Sequence, residues 1–178
     1  MLRKILVTGP PGCGKTTVVR KVGDLLGGKA RGFYTEEIRD ATRRRIGFRV
    51  VTLDGKRGEL ADKSPGPGPR VGSYRVNLES FERVAIPSLR GKERGILVID
   101  EIGKMECCSE AFVRRVREIL QDDSPVLATI PYRGGGELVG EVRRRSDART
   151  FLVTPGNREA LPAEIAAALS ALADGERG

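Results

Sequence analysis

A glycine-rich turn near the start of the chain carries the pattern most directly tied to chemistry. Residues 4–19 read KILVTGPPGCGKTTVV, in which Gly9, Gly14, Lys15 and Thr16 satisfy the pattern G-x-x-x-x-G-K-[ST]. Between a strand and a helix, this pattern is typical of the phosphate-binding P-loop. Its glycines let backbone N–H groups point inward, and the helix N-terminus adds positive potential where a polyphosphate lies. The turn therefore predicts a binding site for the phosphates of a nucleotide.

Each position of this turn has an expected contact. Lys15 should reach the β- and γ-phosphate oxygens, the Thr16 hydroxyl should ligate Mg²⁺, and Thr17 should lie near the α-phosphate. Cys13 is expected to be a small loop residue rather than a nucleophile, because no base can be identified near it. The residues expected to contact the nucleotide are Gly9, Pro10, Pro11, Gly12, Cys13, Gly14, Lys15, Thr16 and Thr17.

A second group of candidate residues lies in the segment ILVIDEIGKME. A buried strand that ends in Asp is the usual partner of a P-loop, because its carboxylate can hold a water of the Mg²⁺ shell opposite Thr16. Asp100 takes that role. Glu101 could orient or deprotonate the water that attacks the γ-phosphate, which makes Lys15 and Glu101 the expected catalytic residues. For Lys104 and Glu106 two interpretations stay open, a solvated first helical turn or a role in the site.

Three polar residues further along the chain could complete the site. Thr129 ends the strand that follows the acidic pair, where it could sense the γ-phosphate or simply be a strand-end threonine with its hydrogen bonds satisfied. Asn157 and Arg158 follow the last predicted strand and could pack beside a nucleotide base, since a guanidinium is planar. The alternative for this pair is a helix-capping turn before Pro162.

Several charged residues, most of them arginines, could approach the phosphates or remain solvated. A mobile loop that carries arginines could close over a triphosphate as a lid or charge clamp. The candidates beside the predicted hairpin and the Pro- and Gly-rich loop are Arg31, Glu36, Arg39, Arg70 and Arg75. A later arginine run predicts a helix end stabilised by the helix dipole, although one of its members could act as an arginine finger, in cis or toward a neighbouring molecule. The candidates for that role are Arg143, Arg144, Arg145 and Arg149.

The elements that must position these residues follow from the hydrophobic pattern. Apolar runs predict buried strands, and a period of 3.6 predicts amphipathic helices. The predicted strands are 3–8, 95–101, 124–131 and 148–154, and the predicted helices are 15–27, 77–91, 106–120, 136–147 and 161–172. Three β-rich pieces, 31–39, 46–55 and 56–62, predict an antiparallel hairpin or meander inserted after the first helix. Residues 63–73 hold three prolines and three glycines and are predicted to be a loop.

Strands separated by helices imply right-handed crossovers and a mostly parallel sheet covered on both faces, an α/β fold of three layers, α/β/α. Ligands of such sheets lie at the carboxyl ends of the strands, where the glycine-rich turn is also expected. A chain of 178 residues suits one core. We therefore predict a single domain over residues 1–173 and a loose tail over residues 174–178.

Composition narrows the class of protein and its partners. A net charge of +8 favours anionic partners. Three cysteines and no histidine argue against a disulfide framework or a zinc site. No apolar stretch approaches the length of a membrane span, and the opening MLRKILVTG lacks the features of a secretory signal. A cytoplasmic protein without a membrane partner is expected, with a monomer favoured over an oligomer.

Five segments, taken together, indicate a family. They are GPPGCGKTT, GFYTEEIR with RIGFRVVTLDG, GPRVGSYRVNLESFE, LVIDEIGKME and TPGNREAL, in this order. Together they resemble the small P-loop nucleoside triphosphatases of the THEP type, which have the cancer-related nucleoside triphosphatase as a human relative. The resemblance implies a RecA- or AAA-like sheet and slow, Mg²⁺-dependent hydrolysis of several nucleoside triphosphates with broad base tolerance. It also implies phosphate contacts along residues 9–16 and the acidic pair at Asp100 and Glu101.

One small departure from the family pattern is visible. Cys107 and Cys108 stand where family members more often carry an aliphatic residue and another small or polar residue. Neither cysteine falls in the glycine-rich turn or the acidic pair. The resemblance of the phosphate site is therefore unaffected.

Three functions compete at this point. Hydrolysis of free nucleoside triphosphates is favoured by Glu101 and by the family resemblance. A nucleotide or small-molecule kinase would use the hairpin and the Pro- and Gly-rich loop as an acceptor pocket and lid, but the paired arginines of a usual nucleotide-kinase lid are not found. A nucleic-acid-linked ATPase is least favoured, because only 4% of residues are aromatic and offer few platforms for stacking bases.

Overall fold

The structure is built around one nine-stranded sheet. It is a computed structural model that describes residues 2–91 and 95–174. The strands are β1 (Lys4–Thr8), β2 (Ala30–Arg39), β3 (Arg45–Thr52), β4 (Arg57–Asp62), β5 (Arg70–Val71), β6 (Tyr74–Val76), β7 (Ile96–Ile99), β8 (Val126–Thr129) and β9 (Ala148–Leu152). The helices are α1 (Lys15–Leu26), α2 (Leu78–Ser88), α3 (Glu110–Gln121), α4 (Glu137–Arg143) and α5 (Leu161–Asp174), with short 3₁₀ turns at Gly27–Lys29 and Glu106–Cys108.

The sheet has a parallel half and an antiparallel half. Its strand order is β5-β6-β4-β3-β2-β7-β8-β1-β9. The strands from β2 to β9 in that order pair in parallel, and those from β5 to β2 pair antiparallel. The strand before the glycine-rich turn, β1, and the strand before the acidic pair, β7, are therefore both neighbours of β8. This order brings the loops after all three strands together at one edge of the sheet.

Helices cover both faces of the parallel strands. Along β1, Ile5 and Val7 pack with α1 and α5, whereas Leu6 packs with the helices of the opposite face, α2, α3 and α4. This alternation follows from the two-residue period of a strand, which turns successive side chains to opposite faces. The predicted α/β fold of three layers is confirmed.

The predicted antiparallel insertion is present and is continuous with the main sheet. The first residues of β2, Ala30–Phe33, pair in parallel with β7, and the strand then runs on to pair antiparallel with β3. Residues 35–39 consequently extend past the edge where the glycine-rich turn lies. The insertion thus supplies one wall of the space above that turn.

Some boundaries differ from the prediction. The segment 63–73, predicted to be a loop, contains β5, because Gly72 takes φ 61° and lets the chain fold back on β6. The third predicted helix begins at Glu110 instead of residue 106, because the Ser109 hydroxyl accepts the Phe112 N–H and caps the helix there. Helix α5 includes Asp174, which was placed in the predicted tail, and residues 175–178 lie outside the described part of the chain.

The helices of the described residues are too short to span a membrane. The longest of them, α5, has 14 residues, whereas a span needs about 20. Within residues 2–91 and 95–174, no helix could cross a membrane.

Candidate active site

The glycine-rich turn connects β1 to α1 at the carboxyl edge of the sheet. At Gly9 a Cβ atom would lie 2.6 Å from Cys13 Sγ and 2.9 Å from the Val153 carbonyl oxygen, so a side chain does not fit there. Gly14 takes φ 103° and forms the N-cap of α1, a conformation that other residues rarely adopt. Cys13 packs beside Gly9 and fills space in the loop, as predicted for a small loop residue. The local sequence thus dictates a tight turn that leads directly into a helix N-terminus.

Lys15 connects this turn to the acidic pair. Its Nζ donates a hydrogen bond to the Gly9 carbonyl at 3.2 Å and lies 3.9 Å from Glu101 Oε2. Both side chains are largely shielded from solvent. A charge pair in such a place is screened less than one at the surface. The structure therefore brings the two residues predicted to be catalytic to the same point.

Asp100 is held at the end of β7 by hydrogen bonds from three directions. Thr129 Oγ1 donates to Oδ1 at 2.6 Å, the Thr35 backbone N–H donates to Oδ2 at 3.3 Å, and the Thr16 hydroxyl also hydrogen-bonds the carboxylate. The side chain is only 1% exposed, and this burial raises the pKa of Asp100, while the three hydrogen bonds oppose the rise. Thr129 is fully buried against Asp100, which favours its strand-end role over a phosphate sensor.

Glu101 points to the open side of the acidic pair. It lines the space above the P-loop, whereas Asp100 faces the interior. Burial raises the pKa of Glu101, the Lys15 charge lowers it and the Asp100 charge raises it. A carboxylate with a raised pKa is a better proton acceptor than a solvated one, which suits a general base. The two acids therefore have different environments and can serve different roles.

Glu106 is a buried part of the site and not the solvated helical turn that one interpretation of the sequence predicted. Its side chain is 5% exposed, and burial raises its pKa to about 8. Glu101 Oε1 and Glu106 Oε2 each lie 2.9 Å from the position that a Cβ at Gly103 would occupy, so the two oxygens are at most 5.8 Å apart. Gly103, which sequence reasoning missed, makes room for both carboxyl groups. Its only sequence signal is its position between two acidic residues.

An open cleft of about 550 Å³ lies above the P-loop. One wall comes from α1 and the other from the extended part of β2, which includes two of the candidate residues, Glu36 and Arg39. Three lining residues, Arg20, Thr35 and Glu37, were missed by the sequence analysis. Arg20 lies 3.5 Å from Glu36 Oε1, and its guanidinium covers the Tyr34 ring at 5.0 Å. The helical spacing of Arg20 from Thr16, four residues, was the signal that could have identified it.

Most of the other candidate arginines contact groups elsewhere. Those beside the insertion reach a carbonyl or a carboxylate: Arg31 donates to the Gly91 carbonyl at 3.5 Å, Arg70 donates to the Ser73 carbonyl at 3.2 Å, and Arg75 pairs with Asp62 at 3.2 Å. In the later run, Arg143 donates to the Pro131 carbonyl, and Arg144 is the C-cap residue that follows α4. Arg145 pairs with Asp147 at 2.8 Å, and Arg149 pairs with Glu164 at 3.1 Å. None of these seven lies among the described residues that line the cleft. The structure does not bring a finger in cis from this run.

The side chains of Asn157 and Arg158 make different contacts. The Asn157 side chain accepts from the Thr154 N–H at 2.8 Å and donates to the Leu152 carbonyl at 2.8 Å, so its amide closes the turn after β9. This favours the turn interpretation for Asn157. Arg158 Cδ lies 3.9 Å from the Cβ position of Gly14, which places its side chain beside the P-loop. A contact with the base therefore remains available to Arg158.

The chain is similar in sequence to a family of nucleoside-triphosphatases. A family model described as NTPase matches residues 4–166. The nucleoside-triphosphatase THEP1 of Aquifex aeolicus is 44% identical over 171 residues, covering 91% of this chain and 96% of the relative. The human cancer-related nucleoside-triphosphatase is 46% identical over 182 residues, covering 93% of this chain and 95% of the relative.

Solved structures of two such proteins share the fold. The crystal structure of THEP1 from the hyperthermophile Aquifex aeolicus matches with a TM-score of 0.85 and 42% identity, covering 93% of this chain and 98% of that one. The solution structure of a human cancer-related nucleoside triphosphatase matches with a TM-score of 0.80 and 44% identity, covering 95% and 98%. The predicted resemblance is thus confirmed over nearly the whole chain.

Proposed function

Because this chain belongs to the NTPase family, we propose that it is an enzyme that hydrolyses nucleoside triphosphates to nucleoside diphosphate and phosphate. The relatives are named nucleoside-triphosphatases, and neither a kinase nor a nucleic-acid-linked ATPase is favoured by the comparisons. The main observation behind the proposal is that Lys15 Nζ lies 3.9 Å from Glu101 Oε2 beside an open cleft. A phosphate-binding cation and a proton acceptor at one point are what hydrolysis of a phosphoanhydride requires.

The residues of this chain divide the reaction between binding and proton transfer. Backbone N–H groups of the P-loop and the Lys15 ammonium hold the β- and γ-phosphates, which places the γ-phosphorus in front of Glu101. Glu101 orients a water molecule and accepts its proton. The water oxygen forms a bond to the γ-phosphorus, the bond from the γ-phosphorus to the bridging oxygen breaks, and the diphosphate leaves with that electron pair. Thr129 and Thr35 keep Asp100 in place throughout.

Thr16 and Asp100 form a donor set that fits Mg²⁺. A hydroxyl and a carboxylate supply the oxygen ligands that this ion prefers, and here they already hydrogen-bond each other. Among residues 2–91 and 95–174, no group of three or more His, Cys, Asp and Glu side chains could hold a metal, which suits an ion that shares its shell with phosphates and water. When bound, Mg²⁺ would neutralise charge on the phosphate oxygens.

Broad base tolerance follows from the groups available to the nucleoside. Arg158, beside the P-loop, offers a flat guanidinium that can stack on a purine or a pyrimidine. Such a contact reads the face of a base and not its hydrogen-bonding edge, so it discriminates weakly among bases. We therefore expect ATP, GTP, CTP and UTP all to be substrates.

The experiment that tests this function follows the terminal phosphate. The purified protein is incubated with each of the four triphosphates and Mg²⁺, with and without a metabolite mixture, alongside the Lys15→Ala variant as an inactive control. Free phosphate from every triphosphate is the expected result. Transfer of the phosphate to a metabolite would indicate a kinase, and the absence of phosphate release from all four would contradict the proposal.

A further inference from the structure

The loop after β8, residues 130–136, begins between the glycine-rich turn and the acidic pair. Because β8 pairs with β1 on one side and β7 on the other, the chain that leaves β8 emerges between the loops of those strands. Its start is fixed: the Thr8 hydroxyl donates to the carbonyls of Ile130 at 3.2 Å and Pro131 at 3.3 Å, and Arg143 also donates to Pro131.

Arg133 is the cation that this loop presents to Glu101. It lines a second cleft of about 330 Å³, which it shares with Glu101 and Thr35. Those two residues also line the cleft above the glycine-rich turn, so both spaces border Glu101. The Arg133 guanidinium lies 5.7 Å from the Tyr132 ring centroid, and no carboxylate in the described part of the chain forms an ion pair with it. Its charge is therefore available to a ligand.

Acidic side chains outnumber the cations that contact them around Glu101, so a further cation could stabilise negative charge there. Asp100, Glu101 and Glu106 lie close together, and Lys15 is the cation that contacts Glu101 from the side of the glycine-rich turn. A triphosphate adds further negative charge at this place, and charge on the transferring phosphoryl group must be stabilised during hydrolysis. The second cleft is lined by the cations Lys104 and Arg133, and Lys15 is not among the described residues that line it.

The backbone beside Arg133 can move its side chain. Gly134, Gly135 and Gly136 take φ angles of 67°, 111° and 84°, all in the left-handed region. Glycine adopts both signs of φ at little cost, so these three residues take backbone conformations that other residues rarely adopt. Arg133 thus lies between a hydrogen-bonded Pro131 and three glycines, in a segment where few side chains restrict the position of its guanidinium.

We propose that Arg133 is a catalytic residue, whose guanidinium contacts the γ-phosphate from the side opposite Lys15 and stabilises charge on the transferring phosphoryl group. This role rests on the proposed hydrolysis. Arginine is suited to it because its planar fork can donate two hydrogen bonds to one phosphate. In this proposal the arginine finger is Arg133, which lies outside the run of arginines that the sequence suggested for that role.

The test compares Arg133→Ala with Arg133→Lys and with Arg114→Ala, an exposed arginine on α3 away from the site. We expect Arg133→Ala to lower kcat by about tenfold or more with little change in KM. Arg133→Lys should retain part of the rate, added guanidinium chloride should restore part of the Arg133→Ala rate, and Arg114→Ala should match the wild type. Melting temperatures of all variants should agree.

A binding measurement separates the transition state from the ground state. Arg133→Ala should bind a non-hydrolysable ATP analogue as the wild type does, but should lose about tenfold or more in affinity for ADP with Mg²⁺ and aluminium fluoride, which mimics the transferring phosphoryl group. A kcat within about twofold of wild type, or a loss that guanidinium does not restore and that accompanies a lower melting temperature, would overturn the role of Arg133. Absence of hydrolysis by the wild type would instead overturn the proposed function.

Discussion

Glu101 and Asp100 are adjacent in sequence but differ in environment. Asp100 is buried among three hydrogen-bond donors, and Glu101 faces the cleft beside Lys15. A buried, fully bonded carboxylate is suited to hold a fixed position, whereas one at the cleft can exchange a proton with water. The division of roles that we propose for the pair thus depends on which neighbouring strands each side chain contacts.

Replacement of Glu101 by Gln tests its role as the base. Glutamine keeps the shape of the side chain but cannot accept the proton, so we expect turnover to fall by about a hundredfold or more while nucleotide binding is preserved. Phosphate release and binding of a fluorescent triphosphate analogue would measure the two effects. The matched control is Glu37→Gln. Glu37 lines the same cleft, but its carboxylate pairs with Arg39 and Arg45. Wild-type turnover in Glu101→Gln would remove this residue from the mechanism.

Glu106 predicts a pH dependence of stability. Burial raises its pKa from about 4.5 to about 8 in the folded protein, so the folded state keeps a proton that the unfolded state releases between these values. Its contribution to stability is therefore present at low pH, declines as pH rises from about 4.5 to about 8, and is level above that. Glutamine does not titrate, so the stability of Glu106→Gln should not show this decline as pH rises.

Thermal unfolding at several pH values checks this effect. The melting temperature of Glu106→Gln relative to wild type should rise with pH and level off above about pH 8. Each kcal/mol of difference should appear as about 2–4 °C for a chain of this size. Glu110→Gln, at an exposed position in the first turn of α3, is the control and should show no such trend. A constant difference between Glu106→Gln and wild type across this range would contradict the raised pKa.

At the scale of elements, Lys4 connects β1 to the end of α3. It is 0% exposed, and its Nζ donates to the carbonyls of Ile119 at 3.3 Å, Asp122 at 2.8 Å and Ser124 at 2.8 Å. Burial lowers the pKa of Lys4, while nearby aspartates oppose this. A cation at a helix C-terminus satisfies carbonyls that lack partners within the helix. Lys4 therefore fixes the loop that leads from α3 into β8.

Lys4→Met should destabilise the fold without changing the chemistry. Methionine fills a similar volume but leaves buried carbonyls unpaired, at a cost of about 1–3 kcal/mol in the free energy of unfolding. Urea unfolding would measure this cost, with Lys29→Met, at an exposed position, as the control. The rate of hydrolysis per folded molecule should remain that of the wild type. An unchanged free energy of unfolding would show that water replaces the lysine at these carbonyls.

The antiparallel insertion is an element whose importance became clear only in three dimensions. Its strand β2 contributes the Thr35 N–H that holds Asp100 and the wall of the nucleotide cleft. Phe33 on the same strand packs edge-on against Phe81 of α2 at 5.8 Å and Phe112 of α3 at 6.1 Å. The insertion is therefore part of both the core and the site.

At the scale of the whole molecule, the net charge of +8 is not reflected in the cleft above the glycine-rich turn. The cleft is lined by three cations, Lys15, Arg20 and Arg39, and by three acids, Glu36, Glu37 and Glu101. A balanced cleft attracts a triphosphate through local contacts and not through a long-range field. Surface charge elsewhere is screened within about 8–10 Å at ordinary salt.

This balance predicts a weak effect of salt on hydrolysis. Between about 50 and 200 mM salt, KM for ATP should change by less than about threefold, and DNA or RNA should not stimulate the rate. Steady-state kinetics at several salt concentrations, with and without nucleic acid, would check both statements. Stimulation by nucleic acid that falls steeply with salt would contradict them and revive the nucleic-acid-linked alternative.

The sequence by itself determined the features that depend on neighbours along the chain. The sequence predicted the glycine-rich turn between a strand and a helix, the acidic pair at the end of an apolar run and the alternation of strands and helices. Each depends on spacing, glycine conformation or hydrophobic period within a few residues. The family resemblance followed from the same short segments and was confirmed over residues 4–166.

Only the tertiary structure decided which distant residues meet. The position of β8 between β1 and β7 brings Thr129 to Asp100 and Arg133 to the cleft beside Glu101, across about 30 residues of chain in each case. Burial of Glu106 and Lys4 likewise depends on what packs over them. Strand order, register and burial arise from contacts between remote segments, which a local pattern does not encode.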